Sequence, residues 1–94
     1  MDLGTYHGLH VVPVQAEFEK VEWGGETFRT GRARVREYTC ACQDVVYELC
    51  AAGGLMFVRR LDSSAGDPAV MESAWLVTRE AERLWGALLA GLAR

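Results

Sequence analysis

Cys40, Cys42 and Cys50 are the three cysteines of the chain, and the two histidines, His7 and His10, are spaced as "HGLH" near its start. Thiolate and imidazole are zinc ligands, so Cys40, Cys42, His7 and His10 make up a possible two-Cys, two-His set. Zinc sites in small domains bring cysteines together on a tight knuckle, usually as C-x2-C. A C-x-C pair in an extended strand holds its thiolates roughly 7 Å apart. On that geometry the three cysteines are expected to serve as packing or surface residues, with no metal and no cofactor, and a zinc site is kept as an alternative reading. A nucleophilic cysteine needs a base to hold its thiolate, and neither histidine is tied to a cysteine by position in the sequence. No Ser-His-Asp order, phosphate-binding glycine loop or paired-carboxylate motif is visible, so a non-enzymatic protein with no catalytic residue is expected.

Arg32, Arg34 and Arg36, with Arg29 close by, form a second pattern. On one face of a strand their guanidinium groups could track phosphates or the acidic surface of a partner; alternatively they are a solvated face answered by Glu17, Glu19, Glu22 and Glu26. Trp23 is expected beside a hairpin turn, where an exposed indole is a natural contact residue, whereas Trp75 and Trp85 fit a core. Trp23, Arg32, Arg34 and Arg36 are therefore the candidate partner-binding residues.

These residues sit on a chain of 94 residues with 50% hydrophobic and 24% charged side chains and a formal net charge of -3. This is the make-up of one folding unit, 1–94, with a single core. Up to Tyr47 there are seven acids against five bases, and six against five thereafter. Neither half is basic, so wholesale attraction to nucleic acid or to an anionic membrane is not indicated. The start "MDLGTYHGLHVV" lacks the pattern of a secretory signal, and no apolar run approaches a membrane span, which implies a cytoplasmic protein. Nine arginines to one lysine, twelve alanines and no isoleucine or asparagine suggest a GC-rich, actinobacterial genome.

Alternation of period two from His10 to Phe18 predicts a strand with Val12, Val14, Ala16 and Phe18 on its buried face, at an edge because Pro13 lacks a donor. A bulge near residues 19 and 20 would shift the phase to Val21 and Trp23. "VEWGGETF" reads as a hairpin turning at Gly24-Gly25, with Trp23 opposite Glu26 and Val21 opposite Phe28. "GRARVREYTCAC" alternates with Arg32, Arg34, Arg36 and Tyr38 on one face, and Gln43-Asp44 marks a turn. "VVYELCAAGGLMFVRRL" predicts a hairpin about Gly53-Gly54 that pairs Ala51 with Met56, Leu49 with Val58, Cys50 with Phe57 and Glu48 with Arg59. After the loop Asp62 to Pro68, a strand from Ala69 to Val77 leads to a helix capped by Thr78, with Glu80 and Glu82 in its first turn and Ala81, Leu84, Trp85, Leu88 and Leu92 along one stripe. The expectation is an α+β domain: an antiparallel sheet of Gly-Gly hairpins, strands over roughly 9–77, and one amphipathic helix over roughly 79–92 packed on it. Leu89 and the small residues Gly86, Ala90 and Ala93 widen the apolar surface of the helix. That width predicts a homodimer with Leu89 and Leu92 at its interface.

From residue 45 to 93, "VYELC", "FVRRLDSS", "AVMESAWLV" and "TREAERLWGALLAGL" resemble the small actinobacterial domain-of-unknown-function family that includes BldB-like developmental proteins and the short partners of WhiJ-type regulators. Glu48, Val58, Arg59, Asp62, Ser63 and Trp85 are the matching positions, and there is no Cys-Val-Glu-Val run. The resemblance implies a small, dimeric, non-enzymatic protein that acts in development or secondary metabolism through a transcriptional regulator. The primary expectation is thus a protein-interaction module. The alternatives are a direct nucleic-acid binder using the arginine-striped strand and a small zinc-binding domain using Cys40, Cys42 and His7 or His10.

Overall fold

The computed structural model describes residues 8–25 and 33–94. The longest pairing is a hairpin between β3 (Val45–Ala52) and β4 (Leu55–Asp62), in register from Val45 opposite Asp62 to Ala52 opposite Leu55. Gly53 and Gly54 turn it, both at positive φ (57° and 80°), the combination a two-residue turn needs to match the twist of its strands. The facing residues are those that alternation pairs in the sequence: Leu49 with Val58, Cys50 with Phe57 and Glu48 with Arg59. Two more segments, β2 (Arg34–Tyr38) on β3 and β5 (Ala69–Glu72) on β4, extend the sheet. The two-residue β1 (Gly24–Gly25) adds to β5, giving a five-stranded antiparallel sheet in the order β1-β5-β4-β3-β2. The helix α1 (Thr78–Leu89) packs on one face, burying Ala81, Leu84, Trp85 and Leu88 against Tyr47, Leu49, Met56 and Val58. On the other face Phe57 is fully buried and stacks on Trp75 at 4.7 Å, and Arg59 pairs with Glu48 at 3.0 Å.

Several local expectations change in three dimensions. Gly24 and Gly25 do not turn a hairpin; they pair with Glu72 and Met71 as an edge strand, and the expected partners Glu26 and Phe28 lie outside the described residues. The last strand stops at Glu72 because Ser73 interposes its side chain. The Ser73 N–H still donates to the Val58 carbonyl, but its hydroxyl, not its carbonyl, accepts the Val58 N–H at 2.8 Å and donates to the Ala74 carbonyl, and a bridge forms again at Leu76 opposite Met56. Thr78 is the first helical residue rather than the cap. Val77 occupies the cap position, no side chain caps the helix there, and Glu80 is the acid of the first turn.

At its C-terminal end the helix finishes in a Schellman arrangement. The Leu92 N–H donates to the Ala87 carbonyl and the Gly91 N–H to the Leu88 carbonyl, with Gly91 at φ 76°. This termination takes Leu92 off the apolar stripe and leaves it 49% exposed.

The expected strand over His10 to Phe18 is instead an irregular strap. Its backbone donors find their partners in the carbonyls at the end of the helix and in the tail beyond it. The N–H groups of Val12, Gln15, Glu19 and Val21 donate to the carbonyls of Leu89, Gly91, Leu92 and Arg94, each at 2.8 Å. Val12, Val14 and Phe18, expected inside, face solvent, while Val11 and Val21 pack on the core. The Arg94 guanidinium donates to the carbonyls of Val12, Leu88 and Ala93, and Arg83 holds Glu19 through both carboxylate oxygens at 3.1 and 3.3 Å.

Gly91 carries two constraints at once, a positive φ and a strap so close that a Cβ would overlap the Pro13 carbonyl oxygen, whereas a Cβ at Gly53 would meet open space. Gly53→Ala is therefore expected to cost about 1–2 kcal/mol, the penalty of a left-handed residue, and Gly91→Ala more than that. Urea unfolding of the two variants checks the order.

Candidate metal centre

The strand β2 ends at Tyr38, and the chain then turns before β3 begins. Thr39, only 2% exposed, ties the two sides of that turn together: its N–H donates to the Tyr47 carbonyl and its hydroxyl accepts the Tyr47 N–H, both at 2.9 Å. Residues 40–44 project beyond this tie. Cys40 and Cys42 therefore lie on a turn and not along an extended strand, and the 7 Å separation expected of a strand does not apply. The Cys42 N–H points at the Cys40 sulfur at 3.5 Å, and the Gln43 N–H reaches the Cys40 carbonyl at 3.4 Å.

The strap brings the third group. Leu9 bridges Thr39 in a short parallel pairing, and its carbonyl accepts the Cys40 N–H at 2.7 Å. The next residue, His10, sets its Nε2 3.3 Å from the Cys42 Sγ. The Gln43 side-chain amide approaches the same sulfur at 3.5 Å. One ligand atom from each of His10, Cys40 and Cys42 lies within 4.8 Å of the other two. Around a tetrahedral zinc, S···S and N···S separations are about 3.5–3.8 Å, as bond lengths of about 2.3 and 2.0 Å require. Small side-chain rotations bridge that difference, since His10 and Cys42 are exposed and Cys40 is half-buried. N–H groups aimed at sulfur stabilise thiolate ligands.

The interaction with the Cys40 thiol, followed by its own desolvation, raises the Cys42 thiol above its ordinary value. A bound cation acts in the opposite direction and favours the thiolate. Cys50, by contrast, is fully enclosed beside Phe57, and burial pushes its thiol up to about 11 against the opposing pull of Arg59. It is a packing cysteine. Cys50 lies within a strand of the core, whereas Cys42 is exposed and Cys40 half-buried on a turn, so what changes from the expected arrangement is the extended C-x-C geometry.

The remaining candidate residues are not assembled in the same way. A register shift between Val35 and Glu37 sets Arg34 opposite Ala51 but Tyr38 opposite Glu48. Ala51 and Glu48 lie on opposite faces of β3, so Arg34 and Tyr38 do too, and Tyr38 leaves the face it was expected to share with the arginines. Arg36 borders a shallow hollow with Ala51, Met56, Thr78 and Glu82, while Arg32, Arg29 and His7 lie outside the described residues. Trp23 is no hairpin-tip side chain; it is half-buried against the core with its ring 6.0 Å from that of Tyr47. Leu89 is likewise packed against the core, so part of the apolar width that suggests a second subunit is used within the chain. Among the described residues no helix is long and apolar enough to cross a membrane.

Comparison with protein-family models, with curated proteins and with solved structures returns no match. The site is therefore read from its own geometry.

Two outcomes are expected. In native protein at pH 8 without added metal, a thiol reagent should modify exposed Cys42 and leave Cys50 untouched until denaturant is added; mass mapping of the modified peptides checks this. Trp23→Ala should lower stability by about 2 kcal/mol, a discount on a fully buried tryptophan, measured by denaturant unfolding.

Proposed function

We propose that this protein is a small, non-enzymatic metal-binding domain that holds one Zn2+ through Cys40, Cys42 and His10. The observation that carries the reading is the convergence of three ligand atoms within 4.8 Å from two segments distant in the sequence. A buried tie at Thr39 sets the turn that bears the cysteines, and the Leu9 bridge sets the histidine. Two thiolates and an imidazole are a soft to borderline donor set, which suits zinc and disfavours magnesium or calcium. Of the arginines behind the nucleic-acid alternative, Arg34 and Arg36 are the ones among the described residues, and Arg36 borders a hollow it shares with Glu82, so that reading has no comparable support.

A second reading, self-association, is favoured by one feature. Val12, Val14 and Phe18 on the strap and Leu92 on the tail beside it are 39–49% exposed. Large apolar side chains grouped at a surface are a common mark of an interface. A second copy of the chain is the proposed occupant, with Leu92 and not Leu89 at the contact. Leu92→Glu should convert a dimer to a monomer by light scattering; a wild-type chain that is monomeric at high concentration would rule this reading out.

The zinc reading is tested on protein purified without chelator. Native mass spectrometry and elemental analysis should find about one zinc per chain, lost in Cys42→Ser and in His10→Ala and retained in Cys50→Ser. Metal-free wild-type protein that takes up no zinc on titration would sink it.

A further inference from the structure

Resting on the zinc reading, we infer that the ion acts as a latch for the strap, so that occupancy of the Cys40–Cys42–His10 centre controls whether the C-terminal end of the helix is covered. The strap spans residues 8–23 and is fastened at two places. At one end are the Leu9–Thr39 bridge and the contact of His10 with Cys42, groups 32 residues apart in sequence. At the other are the bonds to the helix tail: Val12 to Leu89, Gln15 to Gly91, Glu19 to Leu92, and a reciprocal pair in which the Val21 N–H donates to the Arg94 carbonyl and the Arg94 N–H to the Glu19 carbonyl. The bonds to the tail are spread from residue 12 to residue 21; apart from the short parallel bridge of Glu19 with Ala93 the segment has no regular structure, and Val11, Val21 and Trp23 are the strap side chains that pack on the core. A segment held by few buried apolar contacts and by hydrogen bonds at the surface opens locally at low cost.

A metal changes that balance in one direction. His10 comes from the strap and both thiols from the turn between β2 and β3, so an ion bound by all three forms only when the strap is down. Lifting the strap removes a ligand, and a metal that binds the closed form and not the open one stabilises the closed form by mass action. What the strap covers is specific. The carbonyls of Leu89, Gly91, Leu92 and Arg94 lose their strap partners when it leaves; Leu89 is one of the orphan acceptors of the helix end, and the other three belong to the tail that follows it. Fully buried Ala93 and half-buried Leu89 lie at the same end. The fit is close, since the strap passes over Gly91 where even a methyl group would strike the Pro13 carbonyl. Opening would therefore expose an acceptor row and an apolar patch together, the kind of surface that takes an extended segment of another chain.

Hydrogen exchange by mass spectrometry on the whole protein, with zinc removed by chelation and then restored, tests the latch. At free zinc about 100 times the dissociation constant, exchange in peptides covering Val12, Gln15, Glu19 and Val21 should slow by up to about 100-fold. Peptides from β3 and β4 should be unchanged. In His10→Ala, whose altered side chain is exposed, the strap should exchange at the metal-free rate with or without zinc. Zinc bound by mass but with strap exchange unaltered would overturn the latch and leave the zinc reading standing. Slowing that is uniform over the whole chain would also overturn it, since zinc would then stabilise the fold globally. No zinc bound at all would overturn both.

Discussion

The pairing of β3 with β4 is the constraint on which the rest depends. Eight residues of each strand are in register about a two-glycine turn, and the pairing presents apolar side chains on both faces. The helix takes one face through Leu49 and Val58, and Trp75 closes over Phe57 on the other. A small domain has little core to spare, so a hairpin buried on both sides supplies much of the area it can remove from water. The ion pair of Glu48 with Arg59 lies within this pairing at the edge of the buried zone and reinforces its register more than its depth.

Everything that positions the candidate centre hangs from the outer side of that hairpin. Thr39 is buried because it lies opposite Tyr47, a core residue, and its two bonds to the Tyr47 backbone force the chain to turn immediately afterwards. The cysteines are therefore carried on a turn tied to the hairpin, while the histidine arrives on the strap, a segment far away in the sequence. A site shared between two such segments is complete only when both supply their side chains.

The strap also resolves a problem of backbone accounting. The last carbonyls of a helix need donors, and here they are met by the Schellman bonds, by Arg94 and by the N–H groups of a segment from the opposite end of the chain. The same bonds explain why the strap is not a regular strand: only the pairing of Glu19 with Ala93 has the two-residue repeat of a parallel ladder, and the bonds from Val12 and Gln15 do not continue it.

Much of the sheet was legible in the sequence. The alternation around Gly53-Gly54 determined the hairpin and its register, because a glycine pair between two apolar runs admits few other turns. The helix was legible from the stripe Ala81, Leu84, Trp85 and Leu88, and Cys50 from its place inside a strand. The sequence alone could not decide the course of residues 8–25. Alternation there describes Val12, Val14 and Phe18 as well as it describes a strand, and it carries no information about whether a neighbouring sheet edge is vacant. Nor could it decide the cysteine pair, since C-x-C is far apart in a strand and close on a turn, and which of the two applies depends on where Thr39 meets Tyr47. Local pattern fixed the elements whose partners lie next to them in the chain. The strap, the displacement of Tyr38 from the arginine face and the meeting of His10 with Cys40 and Cys42 depend on partners far away in sequence, and only the packed structure brings those together.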